Sequence, residues 1–143
     1  MVRKITELEK VLIQKSKPPD RTSHFLNKAV KLGLENKYAE SIVCLDRVIR
    51  INPKLAIAWY YKGTALNVLG QFQEAIICLK KTIELHQNWC ETWNQKGIAY
   101  ANLQKYFEAI TCFEKAIKFD TDNQSAYTEN KARAIKEQEE NNV

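Results

Sequence analysis

Three stretches of the sequence decide the fold: YAESIVCLDRVIRIN at 38–52, FQEAIICLKKTIELH at 72–86 and YFEAITCFEKAIKFD at 106–120. Their first residues are 34 positions apart in each case. Each stretch has small residues, large apolar residues and charges in nearly the same order. Self-similarity at a fixed period of this length is the signature of a repeat architecture, in which every repeat is one supersecondary unit.

The segments that precede these stretches follow the same period. They are SHFLNKAVKLGLENK at 23–37, IAWYYKGTALNVLGQ at 57–71 and ETWNQKGIAYANLQK at 91–105. The repeat therefore includes both segments, and the chain divides into units at 22–55, 56–89 and 90–123.

Within a unit the apolar residues have the period of an α-helix. In the second unit, the later segment places its apolar residues at i, i+3, i+4, i+7 and i+11: Phe72, Ala75, Ile76, Leu79 and Ile83. That spacing draws one stripe along a helix. Short polar breaks at 70–71 and 86–88 separate the stripes, so each unit is predicted to be a hairpin of two amphipathic helices.

A helical hairpin of 34 residues with this pattern resembles the tetratricopeptide repeat. Its fourth-position aromatic corresponds to Phe25, Trp59 and Trp93, and its eighth-position small residue to Ala29, Gly63 and Gly97. Its large apolar residue at the twenty-fourth position corresponds to Leu45, Leu79 and Phe113. The resemblance implies an all-α solenoid of three hairpins, in which small residues let paired helices approach and large residues fill the space beside them.

Segments on both sides of the repeats complete the predicted domain, 1–143, with about eight helices. Residues 3–16 carry Ile5, Leu8, Val11 and Leu12 at helical spacing and precede a Pro-Pro break, which predicts an N-terminal amphipathic helix. Its apolar stripe could pack on the first hairpin, lie in the groove of the stack or dock on a second copy. Residues 124–138 are more polar and are predicted to form a capping helix.

The net charge of +5 comes from 22 basic and 17 acidic residues, and it is concentrated in residues 1–37. A basic end on a neutral body could meet nucleic acid, anionic lipid or an acidic protein, or simply be a solvated surface. The chain contains neither a secretion signal nor an apolar run long enough for a membrane span. We therefore expect a cytoplasmic protein without a membrane partner.

Four cysteines raise the question of disulfides or a metal site. Cys44, Cys78 and Cys112 share one repeat position, and equivalent points on stacked helices lie about 8–10 Å apart, too far for a disulfide. No C-x-x-C pair occurs, and the two histidines share no spacing with a cysteine pair. We predict that the cysteines are small, half-buried hydrophobic residues in a reducing compartment, with neither a metal site nor a cofactor.

Motifs for catalysis are missing from the sequence. It contains no G-x-S-x-G, no glycine-rich phosphate loop and no H-E-x-x-H. Since the repeat order brings no set of titratable groups together, we predict that the chain is not an enzyme and has no catalytic residues.

The resemblance also implies a binding groove, lined by defined positions of the first helix of each hairpin. The corresponding residues are Leu26, Asn27, Val30, Ile57, Tyr60, Tyr61, Thr64, Asn67, Glu91, Asn94, Gln95 and Ile98. These side chains are mostly apolar or amide-bearing, and only one of them is charged. Such a groove favours an apolar or amide-rich segment, for which an amphipathic helix is the natural form.

Members of this family that capture the acidic C-termini of chaperones hold two carboxylates with Lys, Asn, Asn, Lys and Arg. The corresponding positions here are Leu26, Val30, Tyr61, Glu91 and Gln95. Because a C-terminal carboxylate would meet Glu91 rather than a cation, we predict that the partner is not an acidic C-terminal tail.

The predicted function is a protein–protein interaction module, or adaptor, that binds a peptide or helical segment of a partner in its concave groove. One alternative is a self-assembling structural module, in which copies associate through the N-terminal helix or a stack end. A second alternative is weak nucleic-acid binding through the basic N-terminal end, against which the scarcity of aromatic residues near those cations counts.

Overall fold

The computed structural model describes residues 6, 7, 10, 20–120, 122 and 124–143, and within them it contains seven α-helices and no strand. The helices are α1 (Asp20–Leu34), α2 (Tyr38–Ile51), α3 (Ala56–Val68), α4 (Phe72–Leu85), α5 (Cys90–Asn102), α6 (Tyr106–Phe119) and α7 (Gln124–Asn141). The predicted helix at 3–16 lies outside the described residues, apart from three positions. The architecture is the all-α solenoid that the repeat period predicts.

The first helix of every hairpin is followed, two residues after its end, by a residue with a left-handed backbone. These residues are Asn36, Gly70 and Gln104, with φ values of 62°, 77° and 59°. The amide of the following residue then donates to a carbonyl of the last helical turn, as from Gln71 N to Leu66 O at 2.9 Å. This arrangement satisfies carbonyls that a helix end otherwise leaves unpaired and turns the chain back onto itself.

Paired helices meet where a small residue faces a large one. A Cβ atom added to Gly63 would lie 2.7 Å from Leu79 Cγ, and one added to Gly97 would lie 2.6 Å from Phe113 Cε1. Such distances leave no room for a methyl group, so the two glycines set how closely the helices pack. The small and large positions of the repeat therefore form the contacts that the resemblance implies.

Successive hairpins are stacked in chain order, and on one side of the stack α3 contacts both α1 and α5. A tryptophan at the fourth repeat position ties the second and third hairpins to the turn that precedes each of them. Trp59 Nε1 donates to Pro53 O at 2.8 Å, and Trp93 Nε1 donates to Gln87 O at 3.0 Å. Because the acceptor is a backbone carbonyl, proline and glutamine can both supply it.

The capping helix α7 packs against α6 and also contacts α5. Tyr127 and Ala134 are buried in this contact, with 6% and 2% of their surface exposed, while most other residues of α7 are exposed. The helix ends at Asn141, three residues later than predicted. Within the described part of the chain, none of the helices has the length and apolar character needed to cross a bilayer.

Candidate functional site

The predicted groove residues lie on α1, α3 and α5, the three helices that share one side of the stack. Three of them are not available to a ligand in this arrangement: Leu26, Ile57 and Tyr60 are 1%, 1% and 0% exposed. All three belong to one apolar cluster. Burial of large apolar side chains is worth about 1.5–3 kcal/mol each, so at these positions the chain uses the residues for stability.

Trp89 explains part of this burial, and the sequence analysis did not identify it. Its ring centroid lies 4.3 Å from that of Tyr60 at an interplanar angle of 37°, and Trp89 is 0% exposed. Trp89 precedes α5 in the turn between two hairpins, a place where a polar residue is expected. Leu55 occupies the same repeat position and is 5% exposed, so an apolar residue is buried in both turns. This recurrence does not indicate which side chain Trp89 covers.

Apart from Asn67, which is buried, the remaining predicted residues form a strip with partial access to solvent. Asn27 is exposed, whereas Val30, Tyr61 and Thr64 are half-buried. Thr64 Oγ1 donates to Tyr60 O at 3.0 Å, so this hydroxyl already has a backbone acceptor. The strip thus offers apolar surface from α1 and α3, with the amide of Asn27 at its edge.

Amide side chains connect α3 to α5 across the strip. Asn67 Nδ2 donates to Gln95 O at 2.9 Å and to Gln95 Oε1 at 3.1 Å. Asn67 is only 9% exposed, whereas Gln95 is half-buried. The two predicted amide residues therefore have different roles. Asn67 joins two hairpins, whereas Gln95 also reaches the surface.

A second amide contact closes the end of the strip at α7. Asn130 Nδ2 donates to Asn94 Oδ1 at 2.9 Å, and Arg133 Nη2 donates to Asn130 Oδ1 at 2.5 Å. A cavity of about 220 Å³ lies beside this contact, between α5 and α7, and Ile98 and Glu137 are among its lining residues. The capping helix thus contributes to the site, which the sequence analysis assigned to the three hairpins alone.

The charges of the strip are sparse. Glu91 is half-buried, and of the five positions that would form a two-carboxylate clamp it is the charged one. No lysine or arginine occupies any of these positions. The strip therefore presents apolar and amide groups without a cationic centre.

The groups whose pKa values are shifted mainly by burial include Cys112, Cys78 and Lys96, none of which belongs to the strip. Burial raises the pKa of the Cys112 thiol to about 11 and also raises that of Cys78. Burial lowers the pKa of Lys96, whose Nζ lies 5.0 Å from the centroid of the Trp93 ring. These shifts reflect desolvation inside the fold, so they indicate packing rather than a reactive site.

Cysteines 44, 78, 90 and 112 are free thiols, and all except Cys90 are buried. Tyr127 Oη approaches Cys90 Sγ at 3.7 Å. Among the described residues, no group of three or more His, Cys, Asp or Glu side chains is arranged to hold a metal ion.

Comparison with protein families gives two matches, both to models described as "Tetratricopeptide repeat". One model matches residues 90–123 and the other matches residues 44–77. The first match coincides with the third predicted unit, whereas the second runs from α2 into α4. No protein of curated function matches the sequence at a significant level.

Three solved structures with a similar fold are each under 25% identical to this chain in sequence, so the likeness concerns the fold. The Sgt2 TPR domain from Aspergillus fumigatus has a TM-score of 0.80 and 17% identity, covering 87% of this chain and 83% of that one. The first TPR of Spaghetti (RPAP3), bound to the HSP90 peptide SRMEEVD, has a TM-score of 0.77 and 18% identity, covering 83% and 94%. The TPR2B domain of yeast Sti1, in a pHsp70 complex, has a TM-score of 0.77 and 17% identity, covering 82% and 98%.

Proposed function

We propose that this chain, which belongs to the tetratricopeptide repeat family, is a protein-interaction module without catalytic activity. It binds a peptide or helical segment of a partner protein in the groove along α1, α3 and α5. The free and largely buried cysteines support a reducing compartment such as the cytoplasm as the place of this function.

The observation that carries the proposal is the strip of partly exposed residues contributed by all three hairpins. Val30, Tyr61 and Ile98 offer apolar surface that a partner side chain could bury, and Gln95 on α5 offers an amide. An amide both donates and accepts hydrogen bonds, so it can pair with a peptide backbone. A helix or extended segment that covers such a strip would gain stability from apolar burial, with the amide setting its register.

The chemistry of the partner follows from the charges. The solved Spaghetti domain is bound to a peptide ending in EEVD, but this chain has no cation at the five clamp positions. Glu91 would face the carboxylates of such a peptide, and like charges repel. We therefore propose a partner segment that is apolar or rich in amides where it meets the groove.

Affinity capture followed by mass spectrometry tests the proposal with two matched variants of the full chain. The groove variant combines Tyr61→Ala with Ile98→Ala, both at half-buried positions. The control variant is Phe107→Ala, which removes a 74% exposed ring from α6. This helix is the second of its hairpin and lies outside the groove. Circular dichroism establishes that both variants fold.

We expect proteins captured by the wild type to be lost with the groove variant and retained with the control. Equal capture by all three chains would show that the groove is not the binding site. The peptide SRMEEVD provides a separate test of partner chemistry. Micromolar binding of this peptide would refute the apolar partner while leaving groove binding intact.

A further inference from the structure

A cleft at the N-terminal end of the stack lies apart from the groove. It has a volume of about 660 Å³ and is lined by Arg21, His24, Phe25, Arg47, Arg50 and Ile51. The first three residues belong to the beginning of α1 and the others to the end of α2. The two helices are antiparallel, so this end of the hairpin brings together residues that are far apart in sequence.

Cationic side chains dominate the described lining of the cleft. Among the residues that the structure describes there, the lining includes three guanidinium groups and no carboxylate. Elsewhere in the described chain, several cations have close partners, as Lys62 Nζ lies 2.6 Å from Asp46 Oδ1 and Lys37 Nζ lies 3.0 Å from Glu35 Oε2. No ion pair within the described residues involves the three arginines of the cleft.

At the equivalent positions of the second hairpin, the charges compensate each other. Residues 34 positions after the three arginines are Leu55, Lys81 and Glu84. Lys81 Nζ and Glu84 Oε2 are 3.0 Å apart, so the cation and the acid compensate each other. The accumulation of arginine is therefore a property of the first hairpin and does not follow from the repeat pattern.

The third hairpin has Trp89, Lys115 and Lys118 at these positions. Lys115 Nζ lies 4.4 Å from the centroid of the Trp93 ring, an arrangement similar to that of Arg47, whose guanidinium carbon lies 5.1 Å from the centroid of Phe25. A cation over the aromatic residue is thus common to both hairpins. The first hairpin differs by having arginine at all three positions, and this hairpin forms the cleft.

Arginine suits a particular kind of ligand. Its planar guanidinium donates two parallel hydrogen bonds to a carboxylate or a phosphate, which the ammonium group of lysine cannot do in the same way. Phe25 and the 44% exposed Ile51 add apolar surface beside these donors. A ligand that matches the cleft has paired anionic oxygens next to an apolar group.

We propose that this cleft is a second binding site, which takes a peptide segment carrying paired anionic oxygens beside an apolar residue. The oxygens come from a phosphorylated side chain or from adjacent carboxylates. The apolar surface at Phe25 and Ile51 favours a peptide over a free inorganic anion. This site does not depend on the groove, since none of its residues belongs to the strip.

Three short fluorescent peptides and the full chain provide the test. One peptide has a phosphoserine between leucines, the second has two glutamates in its place, and the third has an unmodified serine. The site variant is Arg50→Glu, and the matched control is Lys118→Glu, which makes the same charge change at the equivalent position of the third hairpin. Arg50→Lys keeps the charge and removes the guanidinium fork.

We expect at least one anionic peptide to bind and the serine peptide not to bind. Arg50→Glu should weaken binding by about tenfold or more, because it removes charge-assisted hydrogen bonds and places a carboxylate beside the anion. Arg50→Lys should weaken it less, and Lys118→Glu should leave it within about twofold. The more tightly bound of the two anionic peptides identifies the source of the oxygens.

Three results would overturn the proposal. The first is that neither anionic peptide binds. The second is that Arg50→Glu and Lys118→Glu weaken peptide binding equally. The third is that a single-stranded RNA oligonucleotide binds more tightly than both peptides and loses affinity with Arg50→Glu. Tyr61→Ala separates the two sites, because it should leave peptide binding at the cleft unchanged even if groove binding fails.

Discussion

Replacement of Gly70 by alanine isolates the cost of a left-handed backbone at the end of α3. Gly70 has a φ of 77°, and a Cβ atom added there would meet no atom within 4 Å. The effect of the substitution therefore comes from the backbone and not from a steric clash with neighbouring side chains. This makes Gly70 different from Gly63 and Gly97, at which an added Cβ is blocked.

The expected magnitude follows from two opposing effects. A left-handed conformation costs a residue with a Cβ about 1–2 kcal/mol relative to its usual conformations. Alanine also restricts the unfolded chain, which returns about 0.4–1 kcal/mol to the folded state. We expect Gly70→Ala to lower the free energy of unfolding by about 1 kcal/mol, or to lower Tm by about 4 °C in a chain of this size.

The equivalent turns of the other hairpins provide internal controls. Gln104 has a φ of 59°, and Asn36 has a φ of 62°. Gln104→Gly should raise the free energy of unfolding by up to about 1 kcal/mol. Asn36→Gly should have a smaller effect, because asparagine adopts the left-handed region more readily than glutamine does.

Urea unfolding followed by far-ultraviolet circular dichroism measures these changes. The slope of the free energy with urea should be the same in all variants if the native and unfolded states keep their compactness. A Gly70→Ala chain as stable as the wild type, or a Gln104→Gly chain that is less stable, would refute the reasoning.

Further predictions concern the core. Gly97→Ala should lower the free energy of unfolding, measured in urea, by about 1 kcal/mol. The added Cβ would lie 2.6 Å from Phe113 Cε1, and overpacking costs about 1–3 kcal/mol, which outweighs the higher helix propensity of alanine. Tyr60→Ala should lower the free energy of unfolding, measured by thermal melts, by about 3–5 kcal/mol, because Tyr60 is 0% exposed. Stability should fall as pH rises from the ordinary thiol pKa of 9.0 towards about 11, because Cys112 ionises earlier in the unfolded chain than in the fold. Urea unfolding of Cys112→Ala should show a smaller fall over the same pH range.

Part of the candidate site could be predicted from the sequence, because a repeat position defines a place on a helix. The small residues at 63 and 97 face large partners, as the pattern indicates, and the three cysteines at the shared repeat position are more fully buried than predicted. The sequence could not show that Tyr60 is covered, because its exposure depends on Trp89, a residue 29 positions later whose place in a turn predicts no packing.

The number of hairpins, the period of the stack and the apolar sides of the helices can be predicted from the amino-acid sequence. The 34-residue repeat gives the first two, and the spacing of apolar residues three or four positions apart gives the third. The packing of the helices is needed to show which groove residues reach solvent and that Arg21, Arg47 and Arg50 share one cleft. Exposure and charge clustering depend on side chains from separate helices, and the contacts between those helices appear only when the hairpins close and stack.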